Sequence, residues 1–336
     1  MNLTEQIEAE YGAMKELQIS TIKNNEKSYQ IQEQFFQVYH ALMDYNEKIS
    51  SSFESFIKKE RQMIQQANRL LDKIIYTSED ISLFSLRVSE LFSESMHGDF
   101  VNQALIGIFL SEMINTCFKK TQIKNSGHLP QEINKCTLFL PEEKKIFLLC
   151  SNLSCGIVEI FGDVGNHCFH NMSGGTVIVH GNSGVYTGLS MSGGILYIDG
   201  SVEGWSGNKM TGGEICVSKN AGENIGDYMN SSCSKGNITI GGNAKGQIGK
   251  GMEDGEISIK GNVDYFNPQF IKGGKVTIEG KIKVMSNYET VGKIYIQDRS
   301  AIPNYISNKS LASNNIFVEE SVRDNNPKVD SPEVRK

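Results

Sequence analysis

The amino-acid sequence predicts an α+β chain in two parts, an N-terminal α-helical hairpin or bundle followed by a parallel β-helix of about seven to eight coils. Three observations lead to this fold class. Glycine is sparse before residue 155 and dense after it. Apolar residues recur at helical spacing in the first part, which has no proline up to residue 122. A unit of nineteen residues recurs throughout the second part, and such recurrence is typical of solenoids.

The first part opens with the apolar stripe of one long amphipathic helix, at roughly residues 28–76. The stripe lapses at Ser52, Lys59 and Gln66, so an antiparallel hairpin or a bundle is favoured over a regular parallel zipper. Its members follow steps of three or four with one step of seven: Phe35, Val38, Leu42, Tyr45, Ile49, Phe53, Phe56, Met63, Ala67, Leu70 and Ile74.

Two further helices are predicted before residue 122. Thr77 and Asp80 resemble a capping box that opens the second helix, 80–94, and a turn at 97–99 precedes the third, 100–120. We interpret these stripes as core or oligomer interface, with a cofactor pocket between the helices as the alternative. Region 1–122 is therefore predicted to oligomerise or to dock partner proteins.

Residues 123–152 are predicted to form a linker, at Ser126–Pro130, and a short capping hairpin. The hairpin strands are 137–140 and 145–150, separated by Pro141 and two glutamates. The β-helix is predicted over 153–300. The remainder, 301–336, is a C-terminal extension whose charged, apolar-poor end is predicted to be disordered from about residue 319.

Eight copies of the repeat align on the glycine that precedes each predicted strand. The residue numbers of these glycines differ by 19, 19, 19, 23, 19, 19 and 18 in turn, and the long interval carries an insertion near Ser231–Ser234. Two and four residues after each glycine stands an aliphatic pair, and the residues between are mixed, as in a half-buried strand. The aligned glycines are Gly156, Gly175, Gly194, Gly213, Gly236, Gly255, Gly274 and Gly292.

Stacking such strands in parallel buries an inner face that one strand cannot bury alone. A second apolar column supports stacking: sixteen residues after successive glycines stand Met172, Met191, Met210, Met229 and Met252. Further glycines follow each strand, and we assign them to corners. A phosphate-binding alternative for G-x-x-G at 162–165 and 181–184 lacks the helix and lysine of phosphate loops.

The unit G-G-x-[IV]-x-[IV]-x-G-x-x-G-x-x-x-G-x-x-M resembles the GXGXG repeat in the C-terminal domain of the glutamate synthase large subunit. It is also similar to the GXGXG-containing subunit of formylmethanofuran dehydrogenase. Residues 174–191 match the unit in full, and the resemblance covers about residues 150–297. It implies a right-handed β-helix that positions catalytic domains carried elsewhere. The cysteines lack iron–sulfur spacing, and no flavin-binding barrel fits in this chain.

Candidate site residues are few. His167, Cys168 and His170 are the densest group of metal-ligand types, but adjacent residues on an extended segment point apart, so we predict no metal. No catalytic or cofactor-binding residue is predicted. A carbohydrate-active β-helix would gather carboxylates on one face. Five aspartates lie in or beside turns but at different repeat positions: Asp163, Asp199, Asp227, Asp254 and Asp264.

The composition limits the partners. The net charge of −6 and pI of about 5.6 give no electrostatic reason to expect nucleic acid or an anionic membrane. Seven scattered cysteines suit a reducing compartment. We see no signal peptide at the N-terminus, and the most apolar window, 100–118, is too interrupted to span a bilayer. These observations predict a cytoplasmic location.

The favoured function is a non-catalytic scaffold, which positions partners on the β-helix and oligomerises or docks through the helices. The first alternative is a structural subunit of an oxidoreductase complex like glutamate synthase or formylmethanofuran dehydrogenase. The second is a carbohydrate-active enzyme.

Overall fold

A computed structural model of the chain describes residues 26–49, 53–92, 99–124, 134–230, 236–286, 290–297, 299–304, 306–307, 311 and 315–318. Its helices come first, and a parallel β-solenoid with the repeat spacing of the sequence follows, so the predicted α+β fold class is confirmed. The helices are α1 (Glu26–Ile49), α2 (Phe53–Leu71), α3 (Ser78–Phe92) and α4 (Asp99–Lys124).

Equivalent strands of successive coils pair in parallel and in register. The ten strands of the larger sheet are β1 (Lys135–Phe139), β2 (Ile157–Phe161), β3 (Ser173–His180), β4 (Ser192–Ile198), β5 (Gly212–Val217), β7 (Asn237–Ile240), β9 (Glu256–Ile259), β11 (Lys275–Ile278), β13 (Lys293–Ile296) and β14 (Ile316–Val318). A second sheet contains β6 (Ala221–Ile225), β8 (Ala244–Ile248), β10 (Val263–Phe266) and β12 (Ile282–Met285). Short 3₁₀ turns occupy Pro268–Phe270 and Arg299–Ala301.

The predicted capping hairpin is wrong. β1 runs parallel to β2 and pairs Cys136 with Val158, and the next segment continues the coil through a parallel bridge between Ile146 and Val164. The chain from Cys136 to Val158 is slightly longer than the usual repeat and makes a whole coil, so Pro141 lies at a corner and not in a hairpin turn. With β14 at the other end, the solenoid has about nine coils.

The helical half forms the predicted bundle, but the expected long helix is two helices, α1 and α2. Phe35, Leu42, Met63 and Ala67 from the predicted stripe are fully buried. They share one continuous core with Phe84 and Phe109 of the later helices and with the first coils. The predicted linker at 126–130, the insertion at 231–234 and the tail from 319 lie outside the described residues. No described helix has the length and apolarity needed to cross a membrane.

The solenoid core follows the two predicted columns. All sixteen aliphatic residues of the strand pairs are at most 2% exposed, and the five methionines of the second column are fully buried. Because each side chain stacks on its equivalent one coil away, every coil buries its inner face against two neighbours.

A polar ladder, which was not predicted above, joins the coils at the corner after each strand. The backbone N–H of Asn182 donates to Asp163 Oδ1 at 2.8 Å, and that of Ser201 donates to Asn182 Oδ1 at 2.9 Å. The same contact continues to Lys281, whose N–H donates to Asn262 Oδ1 at 2.8 Å. Its signal in the sequence is an Asp, Asn or Ser seven residues after six consecutive aligned glycines.

The helices cover the first end of the solenoid. α3 packs along β1, where Ser82 Oγ and Ser85 Oγ accept hydrogen bonds from the backbone N–H groups of Thr137 and Phe139, at 3.2 and 2.9 Å. An uncovered edge strand would offer these donors to another chain. The two serines lie three residues apart on one face of the helix, so they satisfy alternate donors of the strand.

Replacing Ser85 by alanine is expected to lower the free energy of unfolding by about 1–2 kcal/mol, because the buried Phe139 N–H loses its acceptor. Urea unfolding followed by circular dichroism measures the difference. Ser89→Ala, at an exposed position of the same helix, is the matched control and is expected to change stability by less than about 0.5 kcal/mol. Equal effects of the two substitutions would contradict the edge-capping role of Ser85.

Candidate functional site

The densest group of buried polar side chains lies where α2 meets the turn between β2 and β3. His170 Nε2 is 2.9 Å from Glu60 Oε1 on α2, and its Nδ1 is 2.9 Å from Ser151 Oγ on the preceding coil. The same Nδ1 lies 3.1 Å from the backbone oxygen of His167. From α4, Asn115 Nδ2 donates to the backbone oxygen of Ser151 at 2.9 Å. This cluster joins three parts of the chain.

The ion pair and the carbonyl contact favour the charged form of His170. A carbonyl oxygen can only accept, so the Nδ1 facing His167 carries a proton, and an Nε2 proton is then needed to donate to Glu60. Burial lowers the pKa of His170, but the bond to Glu60 and its negative charge outweigh burial, and the pKa is raised above its ordinary value. His167 has a lowered pKa, mainly because of burial and then because of the neighbouring His170.

The stabilising effect of His170 is expected to depend on pH. Because its pKa is higher in the folded chain than in the unfolded one, the folded chain binds the proton more tightly. The gain is complete below the ordinary pKa of about 6.5 and is lost as the pH rises through the higher folded value. The difference in free energy of unfolding between the wild type and His170→Gln should therefore shrink from about pH 6 to about pH 8.5.

Taking this difference removes the contribution of Asp227, whose pKa burial raises to about 7. Glu60→Gln should abolish the same pH dependence, since it removes the only carboxylate that contacts His170 in the described contacts. A difference that stays constant across this range would contradict the charged pair.

The Ser151–His170–Glu60 arrangement has the residue types of a nucleophile, a base and an orienting acid. Ser151 is 1% exposed, however, and its hydroxyl also donates to the backbone oxygen of Leu148. A catalytic nucleophile needs an open approach for the substrate. The geometry instead suits a buried polar joint that fixes α2 to the solenoid.

The three predicted candidates for metal ligands face different surroundings. His170 contacts Glu60, whereas the ring of His167 stacks on Tyr186 with centroids 4.7 Å apart. Cys168 is fully buried, its Sγ lies 3.3 Å from the Ile146 oxygen, and burial raises the pKa of its thiol to about 12. In the described part of the chain, no group of three or more His, Cys, Asp and Glu side chains is arranged to hold a metal ion.

His167 begins a stack of rings on successive coils. Tyr186 lies between His167 and Trp205, with a centroid distance of 5.6 Å to the tryptophan. All three have positive φ, at 58°, 59° and 65°, because the same turn recurs in each coil. The repeated backbone thus fixes the spacing of the rings, and Trp205 takes a stacked corner position.

A second polar group lies on the outer face of the larger sheet. His180 Nδ1 is 2.7 Å from Asp199 Oδ2, and its Nε2 is 3.1 Å from Glu159 Oε1. Lys135 Nζ is 2.7 Å from the other oxygen of Glu159, and the pKa of Glu159 is lowered because the bonds to Lys135 and His180 together outweigh its partial burial. The ring of His180 stacks on Phe161 at 4.5 Å. These contacts pair opposite charges on β1 to β4.

The turn aspartates have separate local roles. Asp163 and Asp199 bind Asn182 and His180, and Asp254 Oδ1 accepts from the Gly255 N–H at 2.7 Å. Asp227 is buried, and its Oδ1 accepts the Lys250 N–H at 3.0 Å. Asp264 lines a cleft of about 460 Å³ together with Lys281, Lys283 and residues 300–304. A second cleft, of about 550 Å³, lies between α3 and residues 139–144.

The chain matches no protein-family model and no curated protein. The resemblance to the GXGXG repeat therefore depends on the repeat residues alone, namely the strand pairs, the corner glycines and the methionine column. A functional assignment has to start from the geometry of the polar clusters and of the exposed faces.

Proposed function

We propose that this chain is a non-catalytic scaffold protein whose solenoid positions partner proteins and whose helices oligomerise or dock. The observation that carries the proposal is how the polar turn residues are used. From Asp163 to Asn262 they accept backbone hydrogen bonds from the next coil, at distances of 2.7 to 3.2 Å. Side chains committed to stacking preserve a shape, and they are not available to bind and transform a substrate.

The helical half has its own accessible apolar side chains. Tyr29 is 52% exposed on α1, and Ile75 is 93% exposed after α2. Exposed apolar side chains of this size are candidates for protein contacts when they cluster or are rimmed by polar groups. The joint at Glu60 and His170 fixes the helices to the solenoid, so a partner held by the helices has a defined position relative to the coils.

A second candidate is a structural subunit of an oxidoreductase complex similar to glutamate synthase or formylmethanofuran dehydrogenase. The repeat that resembles those proteins favours it, in particular the methionine column Met172–Met252, which is fully buried. In that case the partners would carry the flavin-binding or amidotransferase domains.

Both candidates are tested by affinity capture with the full chain from its native cells, followed by mass spectrometry. The bait variants are Tyr29→Asp with Ile75→Asp, and the exposed solenoid change Lys245→Asp as matched control. We expect a discrete partner with the wild type and the control, and its loss with the helical double variant. A partner with flavin or amidotransferase domains would favour the second candidate.

Turnover of a defined substrate by the purified chain, lost in His170→Ala but retained in Lys245→Asp, would overturn the scaffold proposal. Equal capture by all three baits would remove the helices as the docking region. The alanine substitution is checked for folding by circular dichroism, so that loss of turnover is not confused with unfolding.

A further inference from the structure

The outer face of the larger sheet carries a nearly uncharged stripe along the whole solenoid. Because its strands are in register, every second residue of each strand lies in one column on this face. Only one of the ten positions in the middle column is charged. The column contains Thr137, Glu159, Ile178, Tyr197, Cys216, Thr239, Ser258, Thr277, Tyr295 and Phe317.

The single charge in the column is already compensated. Glu159 contacts Lys135 at 2.7 Å and His180 at 3.1 Å, so it would not enter an interface as an isolated carboxylate. Aromatic side chains occupy other positions of the column. Tyr197 is 40% exposed, and Phe317 is 46% exposed at the last strand, where its ring stacks on Tyr295 at 5.3 Å.

Charges of opposite sign flank the stripe on its two sides. On β9, Glu256 lies on one side, and Lys260, four residues later, lies on the other. On β11 the order is reversed, with Lys275 beside Glu256 in register and Glu279 on the far side. All four side chains are exposed. The two flanks therefore carry complementary charge patterns at the same height along the solenoid.

We propose that a second copy of this chain docks face to face on this surface, with the two-fold axis parallel to the solenoid. This rotation sets the middle column against itself and each flank against the opposite flank. Glu256 then faces Lys260 of the partner subunit, and Lys275 faces Glu279 of the partner subunit. Ile157 similarly faces Phe161 of the partner subunit at the same height as Glu159.

The face is large enough for a dimer. Ten strands at about 4.8 Å spacing and five residues at about 3.3 Å per residue give a face of roughly 700 Å². Stable interfaces cover about 800 Å² per partner, so the sheet face is close to that size. This surface is separate from the helical docking region of the proposed function, and each proposal can fail without the other.

Charge-swap variants of the full chain test the dimer by sedimentation velocity over a concentration series. Glu256→Lys with Lys275→Glu keeps the opposite-charge pair between β9 and β11 inside each copy, but it sets like charges against each other across the two-fold axis. We expect the dissociation constant of the dimer to rise at least about tenfold. Adding Lys260→Glu and Glu279→Lys reverses both flanks and should restore it to within about threefold of the wild type.

Crosslinking provides a second measurement. Cys216 lies in the middle column and would meet Cys216 of the partner subunit across a gap of about 10 Å, the spacing of packed sheets. A bismaleimide of that length should join two wild-type chains, with a Cys216–Cys216 peptide in the digest, and Cys216→Ser should remove that peptide.

A wild type that stays monomeric up to about 100 μM, which is about 5.5 kcal/mol of binding free energy, would overturn the proposal. A dimer of equal strength in the wild type and both charge variants, without the Cys216 peptide, would assign dimerisation to another surface and overturn it as well. Loss in the double variant without recovery in the fourfold variant would also contradict the proposed orientation.

Discussion

Replacing Gly107 by alanine is expected to lower the free energy of unfolding by about 3 kcal/mol or more, although alanine is the better helix former by about 1 kcal/mol. Gly107 lies in α4, where a Cβ atom would be 1.7 Å from the backbone oxygen of Phe147 on the first coil. A backbone oxygen cannot move without moving the coil. The helix would therefore gain propensity and lose its place on the solenoid.

Urea unfolding gives the change in free energy, and hydrogen exchange locates it. The Phe147 N–H donates to the Gln103 oxygen at 3.3 Å, so its protection should fall in the variant. Lys119→Ala, at an exposed position of the same helix, should change stability by less than about 0.5 kcal/mol. A Gly107 variant more stable than the wild type would mean that α4 does not cover the first coil.

The solenoid can be predicted in detail because each coil repeats the environment of the last. Val177, Leu196 and Ile215 occupy the same inner position in successive strands, so one aliphatic pattern recurs and becomes visible without a structure. The first coil escapes the pattern because it has no glycine aligned with the others, and its strand pair is Cys136 and Leu138. Its parallel pairing follows from a neighbouring coil and not from its own sequence.

The polar joint could not be predicted, because its members are distant in the chain. Glu60 lies in the helical half and His170 in the solenoid, and the sequence around each has no periodic partner for the other. Serines such as Ser82 and Ser85 look like ordinary helix residues until β1 is known to lie beside them. Contacts of this kind depend on how the two halves meet, which local patterns do not encode.

The corner ladder, in contrast, is predictable from the sequence. Asp163 resembles a possible catalytic carboxylate only when it is compared with other aspartates, and not with Asn182 and Ser201 at the same repeat position. Comparing residues across equivalent positions, regardless of type, identifies the ladder. The hydrogen bond to the next coil weakens a catalytic role for Asp163 and supports its structural one.

The repeat also separates required glycines from replaceable ones. Phe169 stands where the later coils have Gly188 and Gly207, yet it has φ of 63° and is fully buried. A side chain is therefore tolerated in the left-handed region when the surrounding coil leaves space for it. Positive φ alone does not make a glycine necessary, and close backbone approach is the stronger requirement.

Gly194 meets both conditions, so Gly194→Ala is expected to lower the free energy of unfolding by about 3–4 kcal/mol. Its φ is +87°, and an added Cβ would be 2.7 Å from the Gly174 oxygen and 2.9 Å from the Gly175 oxygen on the previous coil. The left-handed conformation costs about 1–2 kcal/mol for alanine, and the overlap with rigid backbone adds the remainder.

Ser190→Ala is the matched control, because Ser190 already carries a Cβ at a φ of 56° four residues earlier in the chain. It is expected to change the free energy of unfolding by less than about 0.5 kcal/mol in the same urea titration. A small effect at both positions would mean that the coils can separate locally to admit a methyl group. A large effect at Gly194 alone would support close coil stacking as the reason for the glycine that precedes each strand.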